Sequence, residues 1–404
     1  MPRATRKLSL INRIKNKIFF IGSLIYSFPL LIIIILIFPF RRIIISELET
    51  RSIGHMSVAV EIFLSEIKIG KFNKKNIYLW FSNKKIANRY LYHKWKQKIF
   101  VVNRFLIKPL FFLINNIYFL KFLRSPFRHW KYNKPINWQN VDIHNVLEIT
   151  NPSIKFSDEE ENLAKDFFKK NNLIKNEYIC FMSRSNFYLK DEVSIRDTNI
   201  KNLFEAMKKI CNERNIVGIR MGHNEEESNL SSKDIVDFSS QPERNEFLEI
   251  YLLMNCKFLV STGTGADHVP ILNRKKILYI NYADINNINN ACNAYIPLMI
   301  TKKFAEIKSN KLINYDEVFK RKLCEELYER DLNMRGFKSV QNTIDEIYDA
   351  ICEMDNLIVE DKSGYIENRN QKKFWSCFKN YYSLPKYKTI IPNKFIENNI
   401  ELFS

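Results

Sequence analysis

The sequence predicts an α/β protein with two doubly wound domains behind an N-terminal membrane segment, and three observations carry that reading. Short apolar runs alternate with segments whose apolar residues recur at helical spacing, most cleanly in the second half of the chain. Residues 18–40, IFFIGSLIYSFPLLIIIILIFPF, form an uncharged apolar run of 23 residues, enough at about 1.5 Å per residue to cross a hydrocarbon core about 30 Å thick. Three predicted strands end in Ser, Thr, Gly or Arg, and open parallel sheets bind their ligands at such carboxyl ends.

Taken in order, the chain begins with basic residues (Arg3, Arg6, Lys7, Arg13, Lys15, Lys17) ahead of the apolar run. No small-residue cleavage site follows, so the run is expected to remain as a permanent anchor. Arg41 and Arg42 make its second flank positive as well. The positive-inside rule would place the longer basic flank in the cytoplasm and export everything after residue 42. Pro29, mid-segment, cannot donate a helix hydrogen bond, and the preferred version is a kinked re-entrant or shallow helix with both ends on the cytoplasmic side. A second apolar and basic stretch, Asn103 to Trp130, reads either as an interfacial surface resting on anionic headgroups or as a buried core helix with a basic rim.

From Asn76 the pattern is strand NIYLWFS, helix KKIANRYLYHKWKQ, strand KIFVV, then the apolar helix. A proline-bearing connector from Ser125 to about Pro152 marks a domain boundary. Beyond it EYICFMS, NIVGIRM, CKFLVST and RKKILYIN read as strands, with IKNLFEAMKKICNER and QPERNEFLEIYLLMN as helices between them. That β-α-β alternation predicts a doubly wound parallel sheet. Two more helices are expected in DEVFKRKLCEELYERD and VQNTIDEIYDAICEMD, and an exposed loop from Asp355 to Lys373. The expected divisions are 1–42 (basic N-terminus and membrane segment), 43–150, 151–336, and 337–404, the last packing back on the N-terminal domain.

Composition narrows the function. A chain of 404 residues holds two ordinary domains, and 63 Lys+Arg against 44 Asp+Glu, a net charge of +19, favours anionic partners. No nucleic-acid recognition motif accompanies that charge, so nucleic acid is not an expected partner. The seven cysteines have no C-x-x-C pair, which fits a reduced compartment and neither a disulfide framework nor a zinc site. No D-x-D or H-E-x-x-H is present, and no metal or cofactor is expected.

Only 9 glycines occur, yet LVSTGTGADHVPI places Gly263 and Gly265 two residues apart after a predicted strand. With Ser261, Thr262 and Thr264 they form a loop whose N–H groups and following helix terminus suit phosphate oxygens. It lacks the Gly-Lys-Ser/Thr of a P-loop and does not follow the first strand as a dinucleotide fingerprint should. Arg184 after YICFM, Arg196, and Arg220 with Gly222 after IVGI supply guanidinium groups at or near neighbouring strand ends. Arg is the usual bidentate partner of phosphate.

Six pieces in order, ETRSIGHMSVAVEIFLSE, ICFMSRSNFYL, IRDTNIKNLFEAM, GIRMG, FLVSTGTGADHVPILNRKKILYINY and IPNKFIENNIELFS, resemble a family of bacterial surface-polysaccharide glycosyltransferases with the two-Rossmann-domain GT-B fold. The likeness runs from about Glu49 to Ser404. It implies a nucleotide-sugar donor on the second domain and a glycan or lipid-linked acceptor on the first. Arg184 would neutralise the diphosphate leaving group, the Ser261–Gly265 loop would hold its oxygens, and Arg196 and Arg220 would line the same cleft. The family's His-x-Arg after the first strand of the donor domain is here Met182-x-Arg184, the arginine kept and the histidine replaced.

His55, beside Gly54, matches the family's Ile-Gly-His piece and is the candidate general base. Glu61 and Glu66 are weaker candidates, expected on a solvated face. His223 and His268 lie near donor loops, and Lys302 and Lys303 are candidates for touching phosphate. The expected activity is metal-independent sugar transfer at the inner (cytoplasmic) membrane, with the folded domains in the cytoplasm. The alternatives are a nucleotide-sugar epimerase on the same fold and a non-catalytic membrane-attached scaffold.

Overall fold

The computed structural model describes residues 10–123, 142, 144–185, 193–222, 230, 232–288, 295–360, 369–385 and 388–403. The chain divides into two compact units, Met1–Gln139 and Asn140–Ser404. The division falls within the predicted connector. Residues 337–404 group with unit 2.

Unit 1 opens with α1 (Leu10–Ile37), a helix that runs through Pro29 without interruption. Strands β1 (Ile43–Leu48), β2 (Ile77–Ser82) and β3 (Phe100–Val101) make a parallel sheet in that order. Between β1 and β2 lies α2 (Ile53–Lys68), and between β2 and β3 lies α3 (Arg89–Lys96). The predicted helix from Lys84 starts later, at Arg89, where the Asn88 side chain accepts the Leu91 N–H at 2.8 Å and caps it. Next comes α4 (Arg104–Asn116), followed by a 3₁₀ stretch over Tyr118–Leu123.

Ile107, Leu110, Leu113 and Ile114 of α4 are buried, in one core with Ile34 of α1, Ile43 and Ile45 of β1, and Phe81 of β2. The core-helix reading of this stretch therefore holds for that face, and the basic residues from Arg124 to Arg128 lie outside the described residues. Glu61 and Glu66 are corrected: they are 0% and 6% exposed, on the buried side of α2 and not on a solvated face.

Unit 2 holds six parallel strands in the order β6-β5-β4-β7-β8-β9. They are β4 (Ile179–Met182), β5 (Gly218–Arg220), β6 (Ile235–Asp237), β7 (Phe258–Ser261), β8 (Lys276–Tyr282) and β9 (Leu298–Thr301). Winding starts at β4, moves outward through β5 and β6, then returns to the other side of β4 with β7. This is a doubly wound sheet with its switch point between β4 and β7. The connecting helices include α5 (Asp158–Lys170, leading into β4), α6 (Lys201–Arg214) and α7 (Glu246–Asn255). Ser157 and Glu160 close a reciprocal capping box at the start of α5.

β10 (Lys303–Glu306) and β11 (Phe337–Val340) pair antiparallel beside the main sheet. The predicted helix from Asp316 to Asp331 is broken into short pieces, because Lys322 adopts φ 54° and ends the first one. Thr343 and Glu346 cap α8 (Ile344–Val359) in the same reciprocal way as α5. Two further helices follow, α9 (Arg369–Tyr381) and α10 (Asn393–Asn398).

The tail makes contacts within unit 2. Gln371 of α9 receives the Ile391 N–H, Asn399 donates to Glu346 at 2.6 Å, and Phe403 meets the Tyr315 ring at 5.1 Å.

Candidate active site at the switch point of unit 2

The crevice between the carboxyl ends of β4 and β7 gathers the loop Ser261–Gly265, Arg184 and Arg196. Ser261 closes β7 and Thr262 follows it, both buried. The Thr262 hydroxyl accepts the Arg184 backbone N–H at 2.8 Å, stitching the two strand ends together. Gly263 takes φ +87°, a conformation that L side chains rarely adopt, and its carbonyl accepts the Arg196 guanidinium at 2.8 Å. Its Cα faces Tyr282, whose ring would lie 3.5 Å from an added Cβ. This explains the first of the two closely spaced glycines. Gly265 is exposed and opens a single 3₁₀ turn that runs into a four-residue helix from His268.

Asp267 organises this loop, and pattern reading had passed over it. Its carboxylate accepts the Ser261 hydroxyl at 2.6 Å, the Thr264 N–H at 2.7 Å and the Thr264 hydroxyl at 2.7 Å. Burial pushes the Asp267 carboxyl above the usual carboxylate range, against the opposing pull of Ser261, Thr264 and Tyr279. The T-x-x-D spacing of Thr264 and Asp267 is the capping-box signature that could have revealed it. Ser261 and Thr264 are thus committed to holding the loop, not to presenting hydroxyls to a ligand. The sharp turn is fixed by a buried carboxylate.

Arg184 sits just beyond β4, half-buried. Burial first, then the nearby Arg196, pull its guanidinium below the ordinary range, while Asp197 and Asp284 act in the other direction. Arginine nevertheless stays protonated. Its Nε lies 3.4 Å from the Asp197 carboxylate, and this buried nitrogen has no hydrogen-bond partner among the described residues. A partly desolvated cation beside a second cation favours the arrival of an anion.

Lys302 is buried and braces the same loop from below. Its ammonium donates to the carbonyls of Ile195 at 2.7 Å and Asp197 at 2.6 Å, the two residues flanking Arg196. Burial lowers its pKa to about 8. Lys302 and Lys303 were read as phosphate contacts, and the geometry corrects this. Lys303 is buried against Glu346 at 2.6 Å and Asn399 at 3.2 Å.

Arg220 closes β5 at 4% exposure, 3.3 Å from Asp237, so its charge is engaged within the sheet. Gly222 takes φ +102° two residues later, as a tight turn out of the strand requires. His223 lies outside the described residues. His268 is partly buried, and burial holds its imidazole below the ordinary range against the Gly265 carbonyl. Met182, at the position of the family's histidine, is buried, with its sulfur 3.1 Å from the Thr264 hydroxyl oxygen.

In unit 1, His55 occupies the first turn of α2, at the carboxyl end of β1, and is partly exposed. Nearby Glu49 is clamped by Arg51 at 2.7 Å and by Asn83 at 2.8 Å. Among the described residues no three His, Cys, Asp or Glu side chains gather as a metal ion would require. A cavity of about 420 Å³ in unit 2 lies at the opposite, amino ends of β4 and β5, where Arg214 and Lys257 pair with Asp355.

No family model matches the chain, and no curated protein matches it. Among solved structures it is similar to a glycosyl transferase family 9 protein from Veillonella parvula, at 13% identity over 79% of this chain and 98% of that one, TM-score 0.43. It is also similar to the E. coli heptosyltransferase WaaC with ADP, at 12% identity over 59% of this chain and 87% of that one, TM-score 0.30. Both likenesses are too distant to assign an activity to this chain.

Proposed function

We propose that this chain is a membrane-associated glycosyltransferase of the GT-B type that moves a sugar from a nucleotide-sugar donor to a lipid-linked or cell-surface glycan, without a metal ion. The observation that carries the reading is the pair Arg184 and Arg196, held around the Ser261–Gly265 turn at the switch point of unit 2. In the transfer, the acceptor hydroxyl oxygen or an intermediate nucleophile bonds to the anomeric carbon. The bond from that carbon to the diphosphate breaks, and its electron pair leaves on the phosphate oxygen. Fixed guanidinium groups stabilise this developing charge without reorganising. The acceptor proton goes to a base, a role assigned to His55 from its place at the strand end.

The loop is a shape-setter more than an N–H cradle, since Asp267 already occupies the Thr264 N–H. Donor phosphates are therefore assigned mainly to Arg184 and Arg196, and Arg220 to supporting the β5 end through Asp237. The folded units stand on the cytoplasmic face of the inner membrane in this reading, where nucleotide sugars are available.

The test is release of nucleoside diphosphate from a panel of nucleotide sugars, using full-length protein in detergent with a bacterial lipid-linked glycan fraction and EDTA present. Acceptor-dependent release, abolished by Arg184→Ala, supports transfer. Met182 in place of histidine favours a second reading, binding without turnover. Donor binding with no release under any acceptor would select it.

A further inference from the structure

We propose that α1 is a one-sided, in-plane attachment to an anionic lipid bilayer, seated on α4 along its length, and not a span that carries the chain across. This rests on the membrane attachment in the proposed function, but not on sugar transfer.

The pattern along α1 decides between the two geometries. Phe20, Ser23, Ser27, Leu30, Leu31, Ile34 and Ile37 turn inward at helical spacing, a narrow stripe. Ser23 and Ser27 are small enough to permit close approach of another helix. Near its start, Phe19 meets Phe112 of α4 edge-on at 4.9 Å, and near its end Ile34 joins the core of β1 and β2. Both ends of the apolar run are therefore fastened to the same folded unit. A perpendicular crossing would carry α4 into the hydrocarbon with it, and α4 exposes Lys108 near its middle.

The rest of the helix circumference is apolar and open. Ile25 is 74% exposed and Phe28 63%, with Ile18, Ile21, Ile32, Ile33 and Leu36 also exposed. Phe105 of α4, Tyr118 and Phe119 just after it, and Phe40 just after α1 are exposed as well. Lys17 near the start of the apolar run, Arg41 and Arg42 beyond its end, and Lys108 of α4 are exposed cations. An apolar surface accompanied by cations and interfacial aromatics matches an anionic bilayer, with aliphatic side chains in the acyl boundary and ammonium and guanidinium groups among the phosphates.

Two measurements on the full chain, neither of which reads sugar transfer or nucleotide binding, separate failure here from failure of the sugar-transfer reading. In flotation with vesicles of phosphatidylcholine, with and without phosphatidylglycerol, the wild type should bind the anionic vesicles more tightly. Ile25→Glu with Phe28→Glu should cut that binding at least tenfold while leaving the detergent-solubilised melting temperature unchanged. In intact bacterial cells, cysteines placed by Lys17→Cys and Arg41→Cys should both escape a membrane-impermeant maleimide and both react once the cells are permeabilised, scored against the parent protein. Labelling of one position but not the other in intact cells would overturn the proposal. So would wild-type binding to neither vesicle, or a detergent-stable dimer dissolved by the double variant with no vesicle binding.

Discussion

Arg196 donates to the carbonyl oxygen of Gly263 at 2.8 Å, so the segment after β4 is tied to the turn after β7 by a charged hydrogen bond. The bond does two things. It fixes the guanidinium at the switch point, and it holds Gly263 in a conformation that only glycine adopts easily.

Gly263→Ala tests that arrangement. An added Cβ would meet the Tyr282 ring at an ordinary 3.5 Å, so the cost is in the backbone at φ +87° and not in a clash. A loss of roughly 1–2 kcal/mol is expected, read as a lower melting temperature, together with weaker nucleotide binding.

Arg184 and Arg220 separate binding from support. Arg184→Ala should remove nucleotide binding at little cost in stability, because the side chain is partly exposed and pulled from several directions. Arg220→Ala removes a buried guanidinium from beside Asp237, which keeps its bonds from Ser239 and Ser240, and should destabilise the fold by about 1–3 kcal/mol. Melting curves of the two variants with and without ligand distinguish them.

Lys302 gives a pH signature. Its folded pKa is lowered to about 8 from an ordinary 10.5, so its linkage contribution to stability is present above the unfolded value and lost as pH falls through 8. The stability of the wild type relative to Lys302→Met should therefore rise between pH 7 and pH 9.5. The variant should also bind nucleotide more weakly at every pH, having lost the brace on Ile195 and Asp197. A pH-independent difference in melting temperature would contradict the assignment.

His55→Ala should lower kcat about 100-fold or more while leaving nucleotide affinity unchanged. An affinity loss that matches the rate loss would remove it from the base role.

The strands β2, β4, β7 and β8 were legible as apolar runs bounded by polar turns, and the Gly263 anomaly led directly to the switch point. β1 is hidden because Ile43–Leu48 follows a longer apolar run with only Arg41 and Arg42 between. β6 is three residues in a polar context, too short to show a period. The charges of Arg220, Lys302 and Lys303 misled for a common physical reason. Sequence shows that a cation exists, but not whether Asp237, a pair of carbonyls or Glu346 lies beside it. Glu61 and Glu66 fail the same way, since their helix is buried on nearly every side.

In the proposed function the crevice between β4 and β7 holds a nucleoside diphosphate. The most direct test is a thermal-shift measurement of the full-length protein in detergent against UDP, GDP, CMP, ADP and dTDP, with and without EDTA, repeated for Arg184→Ala. One of the four diphosphates, and not CMP, should raise the melting temperature, EDTA should not change the shift, and the variant should lose it. No shift with any of the four, or an equal shift in the variant, would contradict this reading.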